Sequence, residues 1–168
     1  LVVVDPCMTA TAKLADKHFF IKPGADAWLL LGLINVIFKA NLWRLGKTKP
    51  YIQGLQEFRR SISDVSLDKA AHMSGIGASD IESLAFDFAK SDSAIAYGRV
   101  GSCTQPHGTI TAWLIYVLNI LTGNLDRIGG VMFPQPAVDI AQLAALSKNS
   151  GHFDQSKSRV NGLPEFSG

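Results

Sequence analysis

The chain has 168 residues, of which 47% are hydrophobic and 18% are charged. This composition is typical of a globular protein that buries a core, and it excludes an intrinsically disordered chain. The formal net charge is only +2, and no stripe of Lys and Arg alternates with aromatic residues, so nucleic-acid binding is not indicated. The two cysteines, Cys7 and Cys103, lack the spacing of a zinc site or a disulfide framework.

The first six residues, LVVVDP, predict a short strand. Four consecutive apolar residues favour a strand buried on both faces, as in a parallel sheet. Ligands of doubly wound α/β folds bind beyond the carboxyl ends of such strands, where an acid often accepts hydrogen bonds from ribose hydroxyls. Asp5 is therefore a candidate nucleotide-site residue. The alternative is that Asp5 caps a helix starting near Thr9.

A helix follows at 8–16, and HFFIKP at 18–23 is extended before Pro23. PGAD then forms a turn that brings Asp26 to the start of a long apolar helix, 25–41, which is expected to lie inside the fold. This helix and the apolar helix near 108–122 contain runs of about a dozen apolar residues, well short of the roughly 20 that cross a bilayer. No membrane span is predicted.

Further helices are predicted within 51–62, around SLDKAAHM and at 79–90, the last with Ser79 or Asp80 as its cap. SAIAYGRVG, at 93–101, predicts a second buried strand, at 94–98, in the same parallel sheet as the first.

A glycine-rich loop, GRVGSCTQPHGT, joins this strand to the helix near 108–122. A strand, a glycine-rich loop and a helix N-terminus form an anion-binding arrangement, because free N–H groups and the helix dipole face the same place. The loop is either a phosphate site or an ordinary turn, since it contains neither a strict GxGxxG nor a P-loop.

Five segments in series resemble molybdopterin oxidoreductases of the dimethyl-sulfoxide-reductase type, which include formate dehydrogenases, nitrate reductases and sulfoxide reductases. They are VVVDPCMTATAKLAD, FFIKPGADAWLLLGLINVI, GIGASDIESLAFDFA, YGRVGSCTQPHGT and LNILTGNLDRIGG, and together they span roughly residues 1–135. The resemblance implies an internal fragment of such an enzyme. It also implies an α/β fold, with a Rossmann-like parallel sheet and helices on both faces, as a nucleotide-binding domain of a larger multidomain protein.

The resemblance further implies a bis(molybdopterin guanine dinucleotide) molybdenum cofactor. The expected cofactor-binding residues lie in three segments, which are Asp5, Pro6, Cys7, Met8 and Thr9; Gly24, Ala25 and Asp26 at the guanine; and Val100, Gly101 and Thr104 or Gln105 on the pterin side. Cys7 stands where the family often has Arg. A Gln is common at the position aligned with Thr104, which leaves two registers for this loop.

In this family the molybdenum ligand and, where one exists, the 4Fe-4S cluster are bound by residues upstream of such a segment. No catalytic or metal-ligating residue is therefore predicted here, and the isolated fragment is expected to be inactive. We expect residues 1–135 to form the cofactor-binding domain and 136–168 a polar connector towards a further domain. The remaining domains and an electron-transfer subunit are the implied partners.

Two other interpretations remain. A non-catalytic subunit of the same fold, like the large iron–sulfur subunit of respiratory complex I, would have lost the guanine-facing acids, whereas Asp5 and Asp26 are present. A nicotinamide dehydrogenase would need glycines after the first strand, and DPCMTA has none. The sequence leaves the substrate and the compartment open, with the cytoplasm slightly favoured.

Overall fold

The structure is a computed structural model that describes residues 1–133, 137–139, 143 and 146. The chain divides after Met132, and every element below lies in the first unit, Leu1–Met132. Most of the predicted connector at 136–168 falls outside the described residues. The boundary at 135 stays a prediction.

The described part of the chain is a mixed α/β structure with a small sheet and several helices. Strand β1 (Val2–Val4), helix α1 (Ala10–Lys13) and strand β2 (Lys17–Phe19) form a parallel β-α-β unit. The register pairs Val2 with Lys17, Val3 with His18 and Val4 with Phe19. The predicted strand, helix and extended segment within the first 23 residues are therefore confirmed, although α1 is shorter than 8–16.

Seven further helical segments follow in the part of the chain that the structure describes. A 3-10 helix covers Gly46–Tyr51, and the α-helices are α2 (Asp26–Lys39), α3 (Leu55–Ser61), α4 (Leu67–Ser74), α5 (Ala78–Lys90), α6 (Val100–Cys103) and α7 (Gly108–Leu121). None of the helices in the described ranges has the length and apolarity needed to span a membrane. The predicted cap of α5 is wrong, because its N-cap is Gly77, which places Ser79 and Asp80 inside the first turn.

Helix α2 is the centre of the core and packs against α4, α5 and α7. Its Ile34 and Ile37 are completely buried. Gly32 permits a close approach of α2 to α4, because a Cβ at this position would lie 2.8 Å from the Cβ of Ala70. The prediction that this helix lies inside the fold is confirmed, because most of its residues are buried. The neighbouring helices of the same unit cover it.

The predicted strand at 94–98 is absent. The segment is extended but pairs with no strand, and Ile95 and Tyr97 are 56% and 72% exposed. Its backbone partners are side chains: Asn119 Oδ1 accepts from the Ala96 N–H at 3.0 Å, and Asn119 Nδ2 donates to the Ala96 carbonyl at 2.9 Å. Asn124 Oδ1 accepts from the Ala94 N–H at 3.3 Å. These asparagines satisfy the hydrogen bonds that a neighbouring strand would otherwise make.

The first strand is also more exposed than its apolar run predicts. Val2 is 41% exposed, whereas Val3 and Val4 are partly buried. With two strands in the described sheet, β1 has β2 as its hydrogen-bonded neighbour. The expectation of burial on both faces is therefore wrong for this unit.

Candidate functional site

A cavity of about 1300 Å³ lies beside the carboxyl end of β1 and the start of α2. It brings together most of the residues that the resemblance singles out, from all three predicted segments. Those lining it are Asp5, Pro6, Gly24, Ala25, Asp26, Gly101, Thr104 and Gln105. The three segments are far apart in sequence, so only the tertiary fold makes them neighbours.

Four predicted residues do not line this cavity. Cys7, Met8 and Val100 are exposed to solvent outside it. Thr9 is the N-cap of α1, and its hydroxyl oxygen accepts from the Ala12 N–H at 3.1 Å. The structure therefore gives Thr9 a local helix-capping role and gives the other three no contact with the cavity.

Asp5 ends the ladder of β1 and turns the chain. Its Oδ1 accepts from the Cys7 N–H at 2.7 Å, and its backbone N–H donates to the Phe19 carbonyl at 3.1 Å. The alternative that Asp5 caps the first helix is wrong, because Thr9 does so. Within the described residues, no group donates to Asp5 Oδ2, which leaves this oxygen available to a ligand in the cavity.

Asp26 is the first residue of α2, yet its side chain makes no capping hydrogen bond to that helix. Its Oδ2 accepts instead from Gln105 Nε2 at 3.0 Å. The same Nε2 also donates to the Gly101 carbonyl. A contact between residues 79 positions apart thus joins the PGAD turn to the loop before α7.

Gly24 is needed where this turn meets Gln105. Its φ is +82°, a conformation that residues with a Cβ adopt rarely. A Cβ there would also lie 3.3 Å from Gln105 Oε1, which is buried and has no hydrogen-bond partner among the described residues. The turn and the amide of Gln105 are therefore closely packed.

Basic groups also line the cavity, and sequence reasoning missed them. They are Lys22, Arg99 and His107. Lys22 Nζ donates to the His72 carbonyl at 2.7 Å, and Arg99 Nη1 donates to the Tyr97 hydroxyl at 3.1 Å. The hydrogen bond with Tyr97 raises the pKa of Arg99 above its usual value. Lys22 precedes PGAD and Arg99 lies within GRVG. Their positions in or next to two candidate loops are the signal in the sequence that could have identified them.

The cavity also receives two helix N-termini. Helices α2 and α7 have 14 residues each, and Asp26 and His107, at their starts, both line the cavity. The unpaired N–H groups and the dipole of such a helix end attract negative charge. The arrangement therefore combines carboxylates that accept hydrogen bonds with basic and dipolar groups that attract anions.

Comparisons with known proteins identify similar sequences and a similar structure, although no protein-family model matches. The assimilatory nitrate reductase catalytic subunit of Bacillus subtilis is 29% identical over 126 residues, covering 75% of this chain and 18% of that protein. The arsenate respiratory reductase molybdopterin-containing subunit of a Shewanella species is 30% identical over 158 residues, covering 80% of this chain and 18% of that subunit.

The solved structure of acetylene hydratase from Pelobacter acetylenicus has a TM-score of 0.78 and 25% identity to this chain, covering 92% of it and 22% of the hydratase chain. The chain thus spans about a fifth of the length of the proteins it matches. The similarity in sequence and the similarity in fold point to the same group. The chain is therefore homologous to one segment of the molybdopterin oxidoreductases.

Proposed function

We propose that the chain holds one guanosine end of a bis(molybdopterin guanine dinucleotide) molybdenum cofactor. The observation that carries this proposal is the convergence of Asp5, the PGAD turn and the loop at 101–105 on one cavity. We further propose that the β-α-β unit is part of a Rossmann-like nucleotide-binding domain, with the remaining domains and an electron-transfer subunit as partners.

Asp26 is the residue with the chemistry to recognise guanine. Guanine presents two adjacent donors, N1–H and the exocyclic N2 amino group, and one carboxylate can accept from both. Adenine lacks this pair of donors. A bidentate contact of this kind typically discriminates between bases by about 1–3 kcal/mol. Asp26 lines the cavity and is not used as a cap of its own helix, which supports this role.

The other cavity residues fit the remainder of a guanosine diphosphate group. Asp5, with Oδ2 unpaired among the described residues, can accept from ribose hydroxyls. Lys22, Arg99 and the N-termini of α2 and α7 supply positive charge and N–H donors for phosphates. The acidic and basic groups thus match the base, sugar and diphosphate of one nucleotide.

When bound, the molybdenum cofactor supplies two-electron redox chemistry on a small substrate, and the residues of this chain supply binding and orientation. None of the predicted site residues is assigned a catalytic role, so we propose that the segment alone does not turn over. A second candidate activity is hydration, because the similar solved structure is named a hydratase. The proposed role in holding the cofactor is the same for both activities.

The proposal is tested by titrating the 168-residue chain with GDP and with ADP by isothermal calorimetry. The wild-type chain should bind GDP more tightly, and Asp26→Ala should remove this preference. Asp68→Ala is the matched control, because Asp68 is an exposed carboxylate in the first turn of α4. Both substitutions remove a helix-end charge worth roughly 0.3–1 kcal/mol, but only the first should change base selectivity.

Equal binding of GDP and ADP by the wild-type chain, or a GDP preference that survives Asp26→Ala, would contradict the guanine assignment. The same titration separates the alternative of a non-catalytic subunit that has lost the cofactor. Such a subunit should bind GDP without preference over ADP.

A further inference from the structure

We infer that Gln105 is a positioning residue that orients the Asp26 carboxylate for guanine. The inference rests on the proposed function and deepens it, because it assigns the selectivity of the base site to a pair of residues. Gln105 lies 79 positions after Asp26 and comes from the loop before α7. In this role Gln105 contacts Asp26 and acts on the ligand through it.

The hydrogen bonds of Gln105 fix which way its amide points. Nε2 faces two acceptors, Asp26 Oδ2 at 3.0 Å and the Gly101 carbonyl. Reversing the amide would turn its oxygen towards both acceptors and lose both hydrogen bonds. Oε1 instead packs against Gly24, where a Cβ would lie 3.3 Å away. Gln105 is thus held by α6 and by the PGAD turn together.

This contact restrains the one soft torsion of the carboxylate. The terminal torsion of an Asp side chain has a broad energy minimum, so an unrestrained carboxylate presents its two oxygens over a range of angles. Bidentate recognition needs both oxygens in the plane of the base edge. A donor fixed on Oδ2 limits this rotation before the ligand arrives, which lowers the ordering cost of binding.

The contact leaves enough acceptor capacity for guanine. An ionised carboxylate has about four lone-pair sites, and Gln105 occupies one of them on Oδ2. Oδ1 has no donor among the described residues. A neutral amide also leaves the negative charge of Asp26 intact, whereas a Lys or Arg in its place would compete with the ligand for the carboxylate.

The test compares GDP with inosine diphosphate, which lacks only the exocyclic amino group of guanine. If the Asp26 carboxylate is no longer oriented, its contact with the exocyclic amino group weakens. The affinity for GDP should then fall more than the affinity for inosine diphosphate. Gln105→Met keeps a similar length without the donor, and Gln105→Glu places an acceptor against Asp26. In each variant the ratio of the two dissociation constants should move towards 1 by about fivefold, the equivalent of one ordinary hydrogen bond.

Gln53→Met is the matched control, because Gln53 is exposed and lies outside the cavity. It should keep the wild-type ratio. Melting temperatures of all variants are measured in parallel. A general loss of structure would weaken the binding of both nucleotides alike and leave the ratio of their dissociation constants unchanged.

The outcomes separate the two proposals. If the wild-type chain prefers GDP and both Gln105 variants keep the full preference, the positioning role is overturned and the guanine site stands. If the wild-type chain does not distinguish GDP from inosine diphosphate, the guanine site itself falls, and the role of Gln105 falls with it.

Discussion

Gly108 marks the point at which the chain passes from the loop after α6 into α7 with no space for a side chain. A Cβ at this position would lie 1.8 Å from the carbonyl oxygen of Cys103, far inside van der Waals contact. The loop that this turn closes carries Thr104 and Gln105, which line the cavity. The positions of Thr104 and Gln105 therefore depend on the absence of a side chain at Gly108.

We expect Gly108→Ala to destabilise the chain by about 3 kcal/mol, at the upper end of the cost of overpacking. Gly101→Ala is the control, because a Cβ at Gly101 would meet no atom within 4 Å and an Ala in a helix is favoured over Gly. Urea denaturation followed by circular dichroism measures both free energies of unfolding. Equal stabilities of the two variants would show that the loop can move aside without cost.

At the scale of elements, the extended segment at 94–98 depends on side chains of α7 and the turn after it. Asn119 is 1% exposed and donates to the Ile115 carbonyl as well as bonding both backbone groups of Ala96. Buried polar groups that lose their partners typically cost about 1–3 kcal/mol. Asn119 thus acts as a substitute for one neighbouring residue of a strand.

Asn119→Leu should therefore destabilise the chain by about 2–3 kcal/mol, because Leu has a similar volume but leaves both polar groups of Ala96 without partners. The amide of Ala96 should also exchange with solvent faster, as measured by hydrogen–deuterium exchange. Tyr116→Phe is the control, since it removes an exposed hydroxyl from the same helix. A variant with unchanged exchange at Ala96 would contradict the role given to Asn119.

The elements differ in how far their sequences predict them. Long apolar helices such as α2 and α7 are predictable because composition and turn residues define them locally. Gly123 follows the C-cap of α7 with a φ of +67°, the conformation in which glycine commonly ends a helix. The segment at 94–98 has the composition of a strand, but its partners are side chains more than 20 positions away, which no local pattern contains.

The residues of the candidate site are likewise predictable only where a local sequence pattern marks them. Asp5 and Asp26 could be singled out because each stands next to a local signal, the end of a strand or the start of a helix. The hydrogen bond from Gln105 to Asp26 joins two loops and exists only after the helices between them have packed. Lys22 and Arg99 also line the cavity, and their signal in the sequence is only that each lies in or next to a candidate loop.

At the scale of the whole first unit, helix α7 carries a row of exposed apolar side chains, whereas most residues of the central helix α2 are buried. Ile110, Trp113 and Tyr116 recur at every third position and are 52%, 51% and 55% exposed. Trp113 is partly held by an edge-on contact with Phe58, whose ring centroid lies 5.1 Å away. Leu114 and Leu118 of the same helix are buried in the core. Helix α7 therefore combines buried apolar residues with apolar residues that face solvent in this unit.

We expect the isolated chain to self-associate through this face, because contiguous exposed apolar surface promotes association. Light scattering coupled to size exclusion should give a mass that rises with concentration for the wild-type chain. Ile110→Lys combined with Tyr116→Lys should reduce this rise without unfolding the chain, since both side chains are more than half exposed. Leu14→Lys is the control, because Leu14 is 84% exposed but lies beside α1. Two outcomes would show that the α7 face is not responsible. One is a wild-type chain that stays monomeric at high concentration. The other is a Leu14→Lys variant that reduces association as much as the double variant does.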